Sequence, residues 1–205
     1  MHILSALAAF FLVVGLAARS WRLHKERAAE LADPGIQLLR RYERDVDTIE
    51  LRLITGMKAL GFNLLTPTCV AKDPSLLEDC DRFDRATPLV DEWRLSMEER
   101  FARHERDMSN APVDEQFKPT IAEGLAGWRT LYAVYLPRRV ELTKRQIATT
   151  CRLCRLLARR NWHIQNDSFG FFSTDELADF QEIVADLNDL GAQQRQVIMD
   201  TSRAD

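Results

Sequence analysis

Residues 145–163 read RQIATTCRLCRLLARRNWH, and residues 173–190 read STDELADFQEIVADLNDL. Arg138, Arg145, Arg152 and Arg159 recur every seven residues. On an α-helix that spacing draws a nearly straight basic line, which Arg155 joins. Asp175, Asp179, Glu182, Asp186 and Asp189 alternate spacings of four and three, which draws an acidic line on a second helix. A chain that doubles back at Asp167 sets Arg159 level with Asp175, Arg155 with Asp179, Arg152 with Glu182 and Arg145 with Asp189. Flanking charges of this kind are expected beside an apolar seam between two antiparallel helices. Each exposed pair is worth a few tenths of a kcal/mol, up to about 1. The pairs matter more for register, because a shifted pairing leaves like charges facing each other.

The seam reading also covers the Cys-x-x-Cys. Cys151 and Cys154 continue an apolar stripe between Ile147 and Ala158, where cysteine acts as a small buried hydrophobe. A zinc site needs two more ligands, from Cys69 and Cys80 or from His163, and usually places Cys-x-x-Cys on a tight turn rather than within a helix. A thioredoxin-like role needs the first cysteine at a helix N-terminus. No metal and no cofactor is therefore expected. Cys69 and Cys80 bracket a polar loop and would close a disulfide in an oxidising compartment, staying reduced in the cytoplasm.

The same rhythm extends upstream. Leu39, Tyr42, Val46, Ile49, Leu53, Met57 and Leu60 form one stripe after the Asp33-Pro34-Gly35 break. Residues 63–87 read as a loop with a short helix that Asp73 caps and Pro74 opens. Thr87-Pro88 opens a helix striped by Val90, Trp93, Met97, Phe101, His104 and Met108, and Asn110-Ala111-Pro112 ends it. A long helical pattern then runs from about Pro119 to His163, with a kink or break expected at Pro137. Gly124 and Gly127 within it permit a close helix approach. Ser173 and Glu176 form a capping box for the last helix, Phe172 can staple onto Leu177, and Leu177, Phe180, Val184, Leu187, Gly191, Gln194 and Ile198 supply its stripe. Val-Ile-Thr runs with period-two alternation are missing, so no sheet is expected. Four stripes with short connections imply an all-α protein with an antiparallel four-helix-type bundle over residues 36–201.

Residues 1–32 differ in kind. Ile3–Ala18 is an uncharged apolar run of about 24 Å as a helix, against a hydrocarbon core of about 30 Å. Snorkelling by Arg19 and Arg22, with Trp21 at the interface, lets it span as a signal anchor. The rival is a cleaved signal with Gly15-x-Ala17 as its cleavage site, but no positive n-region precedes the run. Arg19, Arg22, Lys25 and Arg27 all follow it, so the positive-inside rule sets the bulk domain in the cytoplasm, with an extracytoplasmic domain as the alternative.

A net charge of −3, together with a basic line already matched by acid, speaks against nucleic acid. The histidines are scattered, and no His-Glu-x-x-His, phosphate loop or Gly-x-Ser-x-Gly elbow occurs. Glu78–Asp84 is acidic but lacks the glycine and terminal glutamate of a calcium loop. The expected function is that of a non-catalytic, membrane-tethered module that binds another protein, with homo-oligomerisation open. Phe169 and Phe171 at the hairpin tip, and Arg139 and Arg160 off the basic line, are the candidate partner contacts. The alternatives are an extracytoplasmic ligand-sensing bundle, with an apolar pocket near Trp93, Trp128 and His104, and a metal or redox protein built on the four cysteines.

Overall fold

The computed structural model describes residues 34–112 and 118–202. The chain is mostly helical. It comprises α1 (Pro34–Ala59), α2 (Pro67–Lys72), two 3-10 turns (Pro74–Leu77 and Cys80–Arg85), α3 (Ala86–Ser109), α4 (Lys118–Ala158), β1 (Trp162–Gln165), β2 (Ser168–Phe171) and α5 (Thr174–Ser202). Among the described residues no helix is long and apolar enough to cross a membrane. The proposed anchor at residues 3–18 and its extension to residue 32 lie outside the described residues.

Local signals set the element ends. Pro34 starts α1, where a missing N–H costs nothing. Thr66 caps α2 by accepting from the Cys69 amide at 3.3 Å. The Asp73 carboxylate accepts from the Ser75 amide at 3.1 Å and caps the first 3-10 turn. Asn110 closes α3, its amide nitrogen donating to the Arg106 carbonyl at 2.8 Å. Ser173 Oγ accepts from the Glu176 amide at 3.4 Å at the start of α5. Gly61, at φ +82°, permits the turn that leaves α1.

Side-chain pairs give the directions. Asp45 meets Arg100 and Tyr42 meets His104, so α1 and α3 are antiparallel. Asp91 meets Lys144 and Glu105 meets Arg129, so α3 and α4 are antiparallel. Arg152 meets Glu182 and Gln146 meets Gln194, so α4 and α5 are antiparallel. The chain enters at Pro34 and leaves at Ser202 at one end, and the β-hairpin caps the other. The main core runs from Leu53 and Met57 through Phe83, Val90 and Trp93 to Ile147, Leu157 and Leu187.

Several expectations are corrected here. The last connection is a two-stranded sheet, with Trp162 opposite Phe171 and Gln165 opposite Ser168. Asn166 and Asp167 both have positive φ (50° and 55°), as a two-residue type I′ turn requires. α3 begins at Ala86, because the second 3-10 turn runs straight into it and leaves Thr87 inside the helix. Pro137 lies within an unbroken α4. On α5 the buried residues are Ile183, Leu187, Leu190, Gly191, Gln194 and Val197, whereas Leu177 is 36% exposed. The expected stripe thus holds at Leu187, Gly191 and Gln194, with Phe180 packed on the core, and fails at its Leu177 end.

α4 is the central helix. From Val140 to Leu157 it is buried over a broad arc, including Thr143, Thr149, Thr150 and Gln146. The three threonine hydroxyls donate to carbonyls one turn back, at 2.8, 3.0 and 2.8 Å, which removes the penalty for burying them. Gln194 Nε2 donates to Gln146 Oε1 at 3.1 Å across the α4–α5 interface.

The glycines divide by their surroundings. A Cβ on Gly56 would meet Leu89 Cδ1 at 2.7 Å, so that glycine lets α1 and α3 approach closely. A Cβ on Gly124 or Gly127 would meet nothing within 4 Å among the described residues, so no close helix approach is made there by any of them. We therefore expect Gly124→Ala and Gly127→Ala each to stabilise the chain by about 0.5–1 kcal/mol in urea denaturation. Gly56→Leu is expected to destabilise it by about 1–3 kcal/mol through overpacking.

Candidate functional site

Three arrangements on this scaffold carry chemistry: a buried ionic layer, a crosslinked corner and the exposed hairpin.

The ionic layer lies where α1, α3 and α4 meet. Arg139 donates to both carboxylate oxygens of Glu50, at 2.5 and 2.7 Å, and to the Tyr135 hydroxyl at 2.6 Å. Its guanidinium sits over the Trp93 ring, 4.8 Å from the centroid. Both partners are buried, which removes most of the pair's contact with solvent. Burial works against the Arg139 charge, but Glu50 outweighs it and the pKa is raised. Burial likewise raises the Tyr135 hydroxyl. This corrects the expectation that Arg139 is a surface contact for lipid or a partner.

Nearer the start of α1, Arg100 Nε is 2.7 Å from Asp45 Oδ2. The His104 imidazole stacks on Tyr42 at 4.3 Å, with Trp128 5.9 Å away. Burial, reinforced by the Arg100 charge, lowers the His104 pKa, so the imidazole is neutral at neutral pH. Burial pushes the Tyr42 hydroxyl up to about 12, against a hydrogen bond with Tyr132 and the Arg100 charge. Trp93 Nε1, Arg100 Nη1 and His104 Nδ1 are buried with no hydrogen-bond partner among the described residues. The open surface groove between α3 and α4 lies elsewhere, lined by Arg94, Glu98, Pro137, Val140, Lys144 and Arg145 among others.

The crosslinked corner joins the second 3-10 turn to α4. Cys80 and Cys154 form a disulfide, while Cys69 and Cys151 are free thiols. The expected Cys69–Cys80 bond is thus replaced by one between Cys80 and a helix 74 residues away. Cys69 lies on α2, with its amide engaged by Thr66, whereas Cys80 turns into the core beside Phe83. Cys151 Sγ donates to Asp84 Oδ1 at 3.2 Å. Burial, and then the hydrogen bond to Asp84, push its pKa up to about 12. Among the described residues no three His, Cys, Asp or Glu side chains gather as a metal-ligand set.

The charged seam is divided between two neighbours. Arg152 bridges Glu182 at 2.9 Å and Asp186 at 3.4 Å. Arg159 lies 3.5 Å from Glu176 rather than beside Asp175. Arg155 turns the other way, to Asp81 at 2.8 Å and Asp84 at 3.4 Å, which corrects its pairing with Asp179. Asp189 accepts from Gln193, and Arg145 lines the α3–α4 groove, so those two do not meet. α4 is sandwiched between α5 and the 3-10 turns, and each arginine follows the carboxylate on its own side.

The hairpin has two faces. Trp162, Ile164, Phe169 and Phe171 share one face, because cross-strand partners point the same way. Phe169 is buried between Trp162 (5.1 Å) and Phe180 (6.0 Å), and Phe171 packs on Phe180 at 5.0 Å. This removes Phe169 as a partner contact and leaves Phe171 half-buried. The period of two carries Phe172 to the outer face, where it is 71% exposed and sits against His163 at 5.0 Å, so it does not staple Leu177. His163 covers Gly170, where a Cβ would come within 2.6 Å of the imidazole. Asp167 in the turn accepts from Thr68 Oγ1 at 2.6 Å, which ties the hairpin to α2. Arg160 is exposed, 4.0 Å from Glu78. An Asn-Asp pair flanked by alternating apolar residues was the sequence signal for this hairpin.

No known family, curated protein or solved structure matches this chain.

Proposed function

We propose that this chain is a membrane-tethered helical module that binds another protein through its hairpin end. The supporting observation is the exposed Phe172–His163 surface, the most exposed aromatic on the described domain, at the end opposite to where the chain enters and leaves. A large apolar side chain held in the open beside a paired hairpin suits a protein contact. We set the domain on the extracytoplasmic side, because disulfides such as Cys80–Cys154 persist in oxidising compartments. That choice departs from the positive-inside expectation and rests on the crosslink.

Site-specific photocrosslinking in intact membranes tests this reading. A photoreactive residue at position 172 is expected to capture one discrete protein, and one at the exposed Leu51 none. The absence of a product at 172, or the same products at both positions, overturns it. The second reading, a bundle that senses a small ligand between α1, α3 and α4, is favoured by the unpartnered Trp93, Arg100 and His104 atoms and would then take precedence.

A further inference from the structure

We propose that Asp84 keeps Cys151 out of disulfide exchange and so fixes the crosslink at Cys80–Cys154. Two rungs join the second 3-10 turn to α4. Cys80 is bonded to Cys154 on one, and Asp84 receives the Cys151 thiol at 3.2 Å on the other. Cys151 and Cys154 are one helical turn apart, so a free thiol shares a face of α4 with one end of the disulfide, within one turn of it. The exchange needs no external oxidant. Cys151 loses its proton, and its thiolate attacks Cys80 Sγ. A Cys80–Cys151 bond forms as Cys80–Cys154 breaks, and the electron pair leaves on Cys154 Sγ, which takes up a proton. The attacking species is the thiolate, so whatever suppresses it suppresses the exchange.

The groups facing Cys151 are Asp84 and Asp81 from the 3-10 turn and Arg155 from α4 itself. Burial and the two carboxylates disfavour the thiolate, and Arg155 favours it. Arg155 is drawn to Asp81 at 2.8 Å and reaches Asp84 at 3.4 Å, which leaves Asp84 as the carboxylate in contact with the sulfur. The Arg155 pairing with Asp81 and Asp84, in place of α5, thereby serves the corner and not the seam.

The test uses the full oxidised chain with Asp84→Asn, which keeps an oxygen acceptor but removes the charge. Wild type and variant are incubated at about pH 9, near the ordinary cysteine range, and mapped as non-reduced peptides. The wild-type chain is expected to retain Cys80–Cys154. The variant is expected to form Cys80–Cys151 at least about ten times faster, since each unit of thiol pKa is tenfold in thiolate. Adding Cys151→Ser is expected to abolish that product. Equal rates in wild type and Asp84→Asn, or no Cys80–Cys151 product in either, overturn the proposal. A measurement on the chain with Asp84 intact stands independently of the variant's folding. In Cys69→Ser, Cys151 is the sole free thiol among the described cysteines, and its 13C-labelled Cβ shift is expected to stay flat up to about pH 10. A titration midpoint below about pH 9 overturns the proposal.

Discussion

Arg139→Ala is expected to destabilise the folded chain by about 3–5 kcal/mol, because it leaves the Glu50 carboxylate buried without its counter-ion. Glu50→Ala should have a similar effect by stranding the guanidinium over Trp93. Neither number measures the net worth of the pair, since desolvating two charges offsets most of their attraction. The informative comparison is Glu50→Leu with Arg139→Met. This combination removes both charges and should recover most of the loss, provided Tyr135→Phe is added so that no buried hydroxyl is left without its donor. Urea denaturation at neutral pH gives the free energies. For a chain of this size the single variants should also melt about 6–20 °C lower. A loss under about 1 kcal/mol for Arg139→Ala would mean that solvent reaches the pair.

Breaking the Cys80–Cys154 bond is expected to have the second largest effect. For a bridge spanning 74 residues, the chain-entropy treatment gives about 4.5 kcal/mol, at the top of the usual range of about 2–5 kcal/mol. Cys80→Ala with Cys154→Ala should fall within that range, and Cys69→Ser should change little because Cys69 bridges nothing. A melting curve with and without reductant provides the check. The wild type should shift down, and the double variant should not respond to reductant. Hydrogen exchange should quicken first in Cys80–Arg85, the segment that loses its covalent tie. Phe83, fully buried, and Arg82, whose Nε donates to the Leu60 carbonyl at 2.9 Å, should keep that segment packed against the bundle. An unchanged melting temperature on reduction would show that the bond adds nothing to packing already in place.

The helices were legible because their signals are local. The α3 stripe is buried from Val90 to His104, and on α1 Tyr42, Leu53 and Met57 are buried with Val46, Ile49 and Leu60 partly so, but the stripes pass over the buried charges Glu50 and Arg100. Caps at Asp73, Asn110 and Ser173 act within a few residues of themselves and lie where the sequence sets them. The hairpin was equally local, but its Asn166-Asp167 turn and short alternation carry little weight beside a search for β-branched runs. Arg139 was misread because it sits one position past Arg138. On a helix that is about 100° of rotation, enough to move it from the basic line to the face that meets α1.

The sequence by itself determined that the chain is built of long helices, that α4 returns antiparallel into α5, and one rung of their seam, where Arg152 meets Glu182. These follow from hydrophobic period and capping, which act along the chain. Only the tertiary structure decided that Arg155 turns away from α5 to Asp81 and Asp84, that Glu50 neutralises Arg139, and that Cys80 bonds Cys154 rather than Cys69. Each of these joins residues more than 70 positions apart. Their pairing depends on which faces of three helices and a 3-10 turn converge on α4, and neither spacing nor charge pattern encodes that convergence.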